Sequence, residues 1–441
     1  MVTKIQMLLS MLAGGDAFDF VGGIAQGADV RHILSLHGRG EGLLEGSGNR
    51  RFEAALARYH QAQAVTFGAG RMALYAILKA MDFPAGGEVI LPGYTCVVAP
   101  AAILRAGLRP VYVDVRIEDF NIDPELAEKA ITARTVAILA QHTFGIPCRM
   151  DELTDIGRRH GVAVIEDGAH AIGARLDGQV LGRWTEAAFF STQATKMFST
   201  ERGGYVTTPD AALAKRLREI QQQSADETPR IAGLSLLRWL YRAGLVCRPG
   251  ANRKTKLAEL VIRRFRLPLL KAVLDYEAEE YAQSLQGRCS EAFPTKLPNL
   301  MAHAGRLQLA RLEENLAHRR RLAAFLEESL PSLGARLGQY DHARAQPSWV
   351  RFPFLVEDRS AWIRNMSRHG LGPGYWLEDP VHPRGSNRQA VGYATGSCPN
   401  AEWLCQHILN LPLHPELRVS RINLWLSSCR KEIGRQKPIN S

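Results

Sequence analysis

Residues 162–204 read VAVIEDGAHAIGARLDGQVLGRWTEAAFFSTQATKMFSTERGG. The stretch opens on an apolar run that ends in two carboxylates, Glu166 and Asp167. A second apolar run, AAFFS (187–191), leads into a serine- and threonine-rich segment carrying Lys196, followed by Gly203 and Gly204. Short apolar runs bounded by turn residues read as buried strands. The stretch thus places an acid at the end of one strand and a lysine just past the end of another. Pyridoxal phosphate chemistry needs that pair: the lysine amine condenses with the cofactor aldehyde, and the acid keeps the pyridine nitrogen protonated. Pyridoxal phosphate is therefore the first cofactor expectation.

Strand and helix patterns alternate on the N-terminal side of this stretch. AVTFGAG (64–70) reads as a strand entering a glycine turn, and RMALYAILKAM (71–81) as an apolar-faced helix. Strands follow at 88–94, 109–115, 135–142 and 162–167, with helices at 96–107, 124–132 and 150–161 between them. The runs at 187–191 and 203–208 add two more strands. The alternation predicts an α/β fold: a mostly parallel sheet covered by helices on both faces. Sites in such folds lie at the carboxyl ends of strands, which is where Asp167, His142, Tyr94 and the 68–71 turn fall. Residues 1–50 are glycine-rich with weak periodicity and read as an N-terminal arm and loop. RFEAALARYHQ (51–61) reads as a helix. Residues 221–295 break the alternation. Residues 304–330 carry one long helical pattern, and the remainder, with strand-like 348–357 and helical 361–370, suits a smaller α+β unit. The expected division is an arm at 1–50, a large domain at 51–295 with an insertion at 221–295, and a small C-terminal domain at 296–441.

Composition narrows the class. The chain has 441 residues, 46% hydrophobic and 22% charged, as in ordinary globular proteins. Its seven cysteines are scattered and form no C-x-x-C pair, which argues against a disulfide framework or zinc site and for a reducing, cytoplasmic setting. No apolar run approaches the roughly 20 residues of a membrane span. The start, MVTKIQMLLSMLAGG, reads as a short amphipathic helix rather than a signal peptide. The net charge of +11 is concentrated: residues 230–271 hold eleven basic side chains and one acid, Glu259. A general attraction to nucleic acid is therefore a poor reading of the charge.

Read singly, each candidate residue has an ordinary explanation. Lys196 could be a lysine in a polar loop, Asp167 a turn acid, His170 a structural histidine that could otherwise pack on or bond near a cofactor ring. Ser191, Thr192, Gln193 and Thr195 could supply hydrogen bonds to a phosphate or substrate. The Gly68-Ala69-Gly70-Arg71 turn leads into a helix whose backbone amides favour a phosphate, with Arg71 adding charge. It is neither a Walker A motif nor a dinucleotide fingerprint.

Taken together, the chain resembles the DegT/StrS-type sugar aminotransferases, a branch of the type I pyridoxal phosphate enzymes. The resemblance is carried by RFEAALARYHQ, PGYTCVVAPAAILRAGLRPVYVDV, FNIDPELAEKAITARTVAILAQHTFG, HGVAVIEDGAHAIGA, FFSTQATKMFSTERGGYVTT, KLPNLMAHAGRLQLARLEENLAHRR and LPLHPEL, in family order. It spans about residues 50–220 and 295–425, and the EDGAHA and STQATK pair is its specific part. The resemblance implies a type I fold, with Lys196 as the Schiff-base lysine and Asp167 at the pyridinium nitrogen. It implies His170 beside the ring, Ser191 on the phosphate, and Asn299 reaching the phosphate from a neighbouring subunit, hence a homodimer. The implied reaction moves an amino group from an amino acid, glutamate by resemblance, to a keto-sugar expected to be nucleotide-linked.

Three departures from the family pattern stand out. Gly70-Arg71 replaces the usual Gly-Thr, so phosphate binding would rest on the Arg71 side chain and the Met72 amide. Cys96 stands where an aromatic often stacks on the ring. The 221–295 stretch is long and basic; its Leu- and Arg-rich segments read either as peripheral contact with an anionic membrane or lipid-linked substrate, or as helices packed on the body with solvated arginines. Lysine at position 196 argues for transamination over the dehydration run by relatives with histidine there. Other readings are the same cofactor acting on a cyclic polyol or an aminobenzoate precursor, and a non-catalytic binding protein of the same fold. A dinucleotide oxidoreductase would fit the alternation but lacks the glycine fingerprint.

Overall fold

The structure is a computed structural model that describes residues 24–243, 278–290, 292–372, 374 and 376–432. The part of the basic segment at 244–271, and residues 1–23 of the expected arm, lie outside the described residues.

Seven strands form the main sheet: β1 (Gln63–Phe67), β2 (Glu88–Pro92), β3 (Arg109–Val113), β4 (Thr135–Gln141), β5 (Ala163–Asp167), β6 (Ala187–Ser191) and β7 (Gly204–Thr208). Their order is β1-β7-β6-β5-β4-β2-β3. β7 runs antiparallel to both neighbours, while β6, β5, β4, β2 and β3 are mutually parallel. Two reversals cancel, so β1 points the same way as β6. The carboxyl ends of β1, β2, β4, β5 and β6 therefore share one edge.

The strands read as continuous apolar runs because both faces are covered. Val89 and Leu91 of β2 pack in one core with Met72, Leu74 and Ile77. Ile90 between them packs in another with Leu153 and Ile156. Those partners belong to α3 (Gly70–Ala80) and α6 (Met150–His160), which therefore lie on opposite faces; α1 (Gly27–Gly38), α2 (Gly48–His60), α4 (Val98–Arg105) and α5 (Pro124–Lys129) complete this series. Fully burying a side chain such as Leu91 contributes roughly 2 kcal/mol. α6 is bounded by charge and glycine: Asp151 and Glu152 sit in its first turn, Arg158, Arg159 and His160 in its last, and Gly161 closes it at φ 65. α5 starts at Asp123, whose carboxylate accepts from the amides of Glu125 (2.9 Å) and Leu126 (3.3 Å).

The alternation also aims the site. Ile165 and Phe189 share the core of α3, so Asp167 and Ser191, two residues on, leave the sheet on the α3 side. Glu166 leaves on the other side.

Two expectations change. Residues 27–38 form α1 rather than a loop, because Asp29 accepts from Gln26 N (2.8 Å) and pairs with Arg311 (Nη1 to Oδ1, 3.1 Å). The long pattern at 304–330 is two helices, which follow α7 (Ala211–Gln223), α8 (Pro229–Tyr241) and α9 (Ala278–Leu285): α10 (Asn299–Leu309) and α11 (Leu312–Ser329). The break falls at Arg311, whose φ −112 and ψ 9 leave the helical region while its side chain holds Asp29 and Ile24 O.

The C-terminal part builds an antiparallel sheet from Arg336–Leu337, Phe352–Leu355 and Ile408–Leu411. It packs with α12 (Arg359–Arg368), α13 (Pro399–His407) and α14 (Val419–Glu432) around Phe354, Trp362 and Trp425. Val381–His382 pairs in parallel with Thr95–Cys96, which ties this part to the sheet edge just past β2.

Candidate active site

Lys196 lies in the turn after β6, 9% exposed. Burial first, then the positive charge of Arg351, pull its ammonium down to about 7; Cys96 and Asp167 act the other way. An amine near neutrality at physiological pH is a competent nucleophile and proton carrier, which an exposed lysine is not. Its Nζ sits 4.2 Å from the centre of the Trp376 ring.

Asp167 ends β5, opposite Gln141 of β4 and Phe189 of β6. Its Oδ1 accepts from Ala169 N at 3.0 Å. Burial raises its carboxyl to about 6, against the lowering effect of that bond, Lys196 and His142. The group remains largely ionised at neutral pH, so it can pair with a protonated ring nitrogen. Glu166 serves the fold instead: it is fully buried and accepts from the amides of Gly182 and Trp184, both at 2.8 Å.

His170 is buried, and burial pushes its imidazole well below the usual range. Its Nδ1 accepts from Phe144 N at 3.3 Å, and its ring lies 4.3 Å from that of Trp376. A neutral ring can pack on a flat cofactor without adding charge. Cys96 is half-buried beside Lys196, Arg71 and Asp167, all of which act on its thiol; the dominant effect, loss of solvent, pushes it up. It is thus a neutral thiol.

Gly70 and Ser191 adjoin. A Cβ on Gly70 would meet Ser191 Cβ at 2.9 Å, and a Cβ on Gly204 would meet the backbone of Ala69 and Gly70 at 2.5–2.6 Å. Gly68 N donates to Thr295 O at 2.8 Å. The glycine turn and the Ser191 end of β6 thus form a cradle only glycines allow, at the start of α3. Met72 is buried; its amide donates to Ala69 O at 3.1 Å and its sulfur accepts from Thr295 N at 3.3 Å.

Of the expected site residues, the structure brings Asp167, His170 and Cys96 within electrostatic range of Lys196, and Arg71 within range of Cys96, with Gly70 and Ser191 side by side. Asn299 is placed apart from these. Its Oδ1 accepts from Gly48 N (2.6 Å) and its Nδ2 donates to Gly42 O (2.7 Å), so its amide is engaged at the junction of α2 and α10 of its own chain.

Sequence reasoning missed Trp376, Arg351 and His382. Arg351 is 7% exposed and its Cζ lies 3.8 Å from the Trp376 ring centre. Burial, then Arg351 and Lys196, hold His382 down at about 3. These residues arrive from far along the chain and no sequence motif marks them; the structure brings His382 in by pairing it with Cys96. The start of the basic segment also reaches the site: Trp239 Nε1 donates to Ser199 O at 3.1 Å, and Glu201, 1% exposed in its side chain and at φ 60, lies against Arg238 and Arg242 of α8 and its end. Arg238, Trp239 and Arg242 of that segment are therefore packed inward, while Leu237 is 50% exposed.

Residues 28–239 and 271–423 match the DegT/DnrJ/EryC1/StrS aminotransferase family. The chain belongs to that family. It is 30% identical over 376 residues to the erythromycin biosynthesis sensory transduction protein EryC1 of Saccharopolyspora erythraea, covering 85% of this chain and 87% of that one. It is 30% identical over 287 residues to GDP-perosamine synthase of Caulobacter vibrioides, covering 65% and 62%. The crystal structure of S. venezuelae DesV in complex with a ketimine intermediate superposes with a TM-score of 0.72 at 25% identity, covering 93% and 95%. The family member is a pyridoxal phosphate-dependent aminotransferase. Its residues fit that cofactor: a cradle free of Cβ atoms for the phosphate, an ionised carboxylate, and a lysine amine near neutrality. Among the described residues no helix is long and apolar enough to cross a membrane.

Proposed function

We propose that this enzyme transfers an amino group from an amino acid, with glutamate the expected donor, to a keto-sugar carried on a nucleotide, for amino-sugar and polysaccharide biosynthesis. The observation that carries the reading is the meeting of Lys196 and Asp167 at one sheet edge, beside the Gly70–Ser191 cradle. The similarity to a GDP-perosamine synthase supports a nucleotide-linked acceptor. We read residues 51–295 as the cofactor-binding domain and 296–441 as the smaller domain over it, and the working unit as a cytoplasmic homodimer.

When bound, the cofactor supplies an electron sink for the carbanion formed at the donor Cα. The chain supplies the rest. Asp167, fixed by Ala169 N, holds a proton on the ring nitrogen. Lys196 Nζ, whose amine burial holds near 7, would carry the proton taken from the donor Cα. Gly70, Arg71 and Ser191 would hold the phosphate, and the packed rings of His170 and Trp376 would exclude water.

The test is direct. Purified protein should show a visible cofactor band, and borohydride should fix the cofactor covalently to Lys196, read by peptide mass mapping. Glutamate should then bleach the band, and one member of a panel of keto-sugar nucleotides should restore it. Failure to take up cofactor, or restoration by unlinked keto-sugars alone, would overturn the corresponding half of the proposal.

A further inference from the structure

Helix α8 carries two opposed stripes. Ala232, Ser235 and Trp239 recur at helical spacing and are buried. Arg230, Leu234 and Leu237 recur at the same spacing on the other side. Arg230 is exposed, Leu234 is half-buried and Leu237 is 50% exposed. A Cβ on Gly233, beside them, would stand in open space. The outward stripe of a helix in a globular protein is ordinarily polar. Here it is apolar, with an arginine at its start.

Helix α1 repeats the pattern. Asp29 and Ile33 are buried, while Arg31 and Leu34 are exposed, Leu34 by 51%. The two helices are anchored at one place. Ser199 O accepts from Trp239 Nε1 of α8 (3.1 Å) and from Gln308 Nε2 of α10 (2.7 Å). Just past the same end of α10, Arg311 donates to Asp29 of α1 (3.1 Å). Val30 and Leu36 of α1 pack against the same core as Leu236 and Leu240 of α8. Each helix turns a leucine and an arginine away from that core.

The chain adjoining both helices is basic. Residues 244–271, which follow α8, hold eight basic side chains and one acid, Glu259. Residues 1–15, ahead of α1, hold Lys4 and no acid. Exposed leucines beside arginines, next to cationic chain, complement a surface that is anionic at its headgroups and apolar beneath them. A polynucleotide matches the charge and leaves the leucines wet. A second copy of this face would bring like charges together.

We propose that the outward faces of α1 and α8 dock on an anionic phospholipid surface. The contact is peripheral: among the described residues no helix is long and apolar enough to cross a membrane. It stands apart from the amino-transfer reading, since neither Leu34 nor Leu237 belongs to the site. Docking would leave the buried stripe of α8, which holds Ser199 through Trp239, on the protein side.

The experiment uses the full chain loaded with cofactor. One set of vesicles is equal parts phosphatidylglycerol and phosphatidylcholine, and the other is phosphatidylcholine alone. In low salt the protein should float with the first set and stay behind with the second. Salt near 1 M, where the Debye length is about 3 Å, should release most of it. Leu34→Asp and Leu237→Asp should each weaken binding about 10-fold, the loss of one inserted leucine. Borohydride fixation of cofactor at Lys196 should stay at the wild-type level in both. The proposal is overturned if the protein floats equally with both sets, or with neither. It is equally overturned if both variants bind like the wild type, because attraction to charge alone would then account for binding, as it would for a polynucleotide. If light scattering gives L34D and L237D a lower mass than the wild type, a second copy covers these faces and the proposal fails. The vesicle comparison and the salt series need no variant, so a misfolded variant leaves them decisive.

Discussion

Arg242 Nη1 lies 2.6 Å from both carboxylate oxygens of Glu201, which places a buried ion pair between the end of α8 and the loop that follows Lys196. Arg238 adds a second charge 3.7 Å from Glu201, and Trp239 fills the space beneath. Removing Arg242 leaves the buried Glu201 with the more distant Arg238 as its countercharge in a low-dielectric site. Arg242→Ala should lower the unfolding free energy by about 3 kcal/mol, read by urea denaturation of the cofactor-free protein. Replacing Glu201 and Arg242 together with leucine should cost less than R242A alone. Equal losses would mean that packing, not charge, dominates there.

The Lys196 amine sets a pH signature. Its folded value of about 7 lies below the ordinary 10.5. Between those values the unfolded chain holds a proton that the folded chain does not, so stability of the cofactor-free protein rises with pH across that window. Lys196→Met should therefore raise the thermal midpoint at pH 7, and the advantage should shrink as pH approaches 10.5. In the wild type, the rate of covalent cofactor attachment should rise through pH 7 rather than near 10. A rate that stays flat until pH 9 would contradict the burial of this amine.

Asp167→Asn should keep cofactor binding yet lower the donor half-reaction by roughly 10²–10³-fold, the scale seen when one preorganised electrostatic partner is removed. Asp167 supports the proton on Lys196, so the amine should titrate lower still in this variant. The pH dependence of covalent cofactor attachment to the cofactor-free protein and single-turnover rates measure the two effects separately.

Gly70→Ala tests the cradle. The new Cβ would stand 2.9 Å from Ser191 Cβ and 3.3 Å from Phe190 O. Relieving that overlap costs about 1–3 kcal/mol, expected as a 10-fold or greater loss of cofactor affinity by fluorescence titration, at nearly normal helix content. Gly86→Ala, at φ 77 with open space around it, is the control: backbone strain without any effect on cofactor.

The sheet was legible because its strands are apolar on both faces: EVILP, TVAILAQ and AAFFS stand out from their flanking turns, and their ends predict the site edge. The start of α3 was legible because the Gly68–Arg71 turn leads into it. The α1 helix was hidden because GADVRHILSLHG has few apolar residues and depends on Asp29 meeting Arg311, 282 residues later. The break between α10 and α11 was hidden because the apolar spacing continues across it. Lys196 and Asp167 could be paired because both follow strands of the same sheet. Arg351 and Trp376 could not, since their approach depends on how the C-terminal sheet docks and on an unusual φ at Trp349. Over 230–243 composition alone does not show which way the basic side chains face; Arg238 and Arg242 are turned toward Glu201.

The strand of the main sheet that runs antiparallel to both its neighbours, β7, bears on the order of events in synthesis. The phosphate cradle consists of a turn at 68–71 that is backed by Gly204, flanked by Ser191 and bonded to Thr295. A nascent chain that has emerged only as far as Lys196 holds the lysine and lacks Gly204 and Thr295, two walls of the cradle. Closing a loop of more than 220 residues between Gly68 and Thr295 is slow relative to local helix formation. Cofactor capture is therefore an event of the nearly complete polypeptide, and a ribosome-stalled chain ending at residue 290 should take up none while one ending at 432 does.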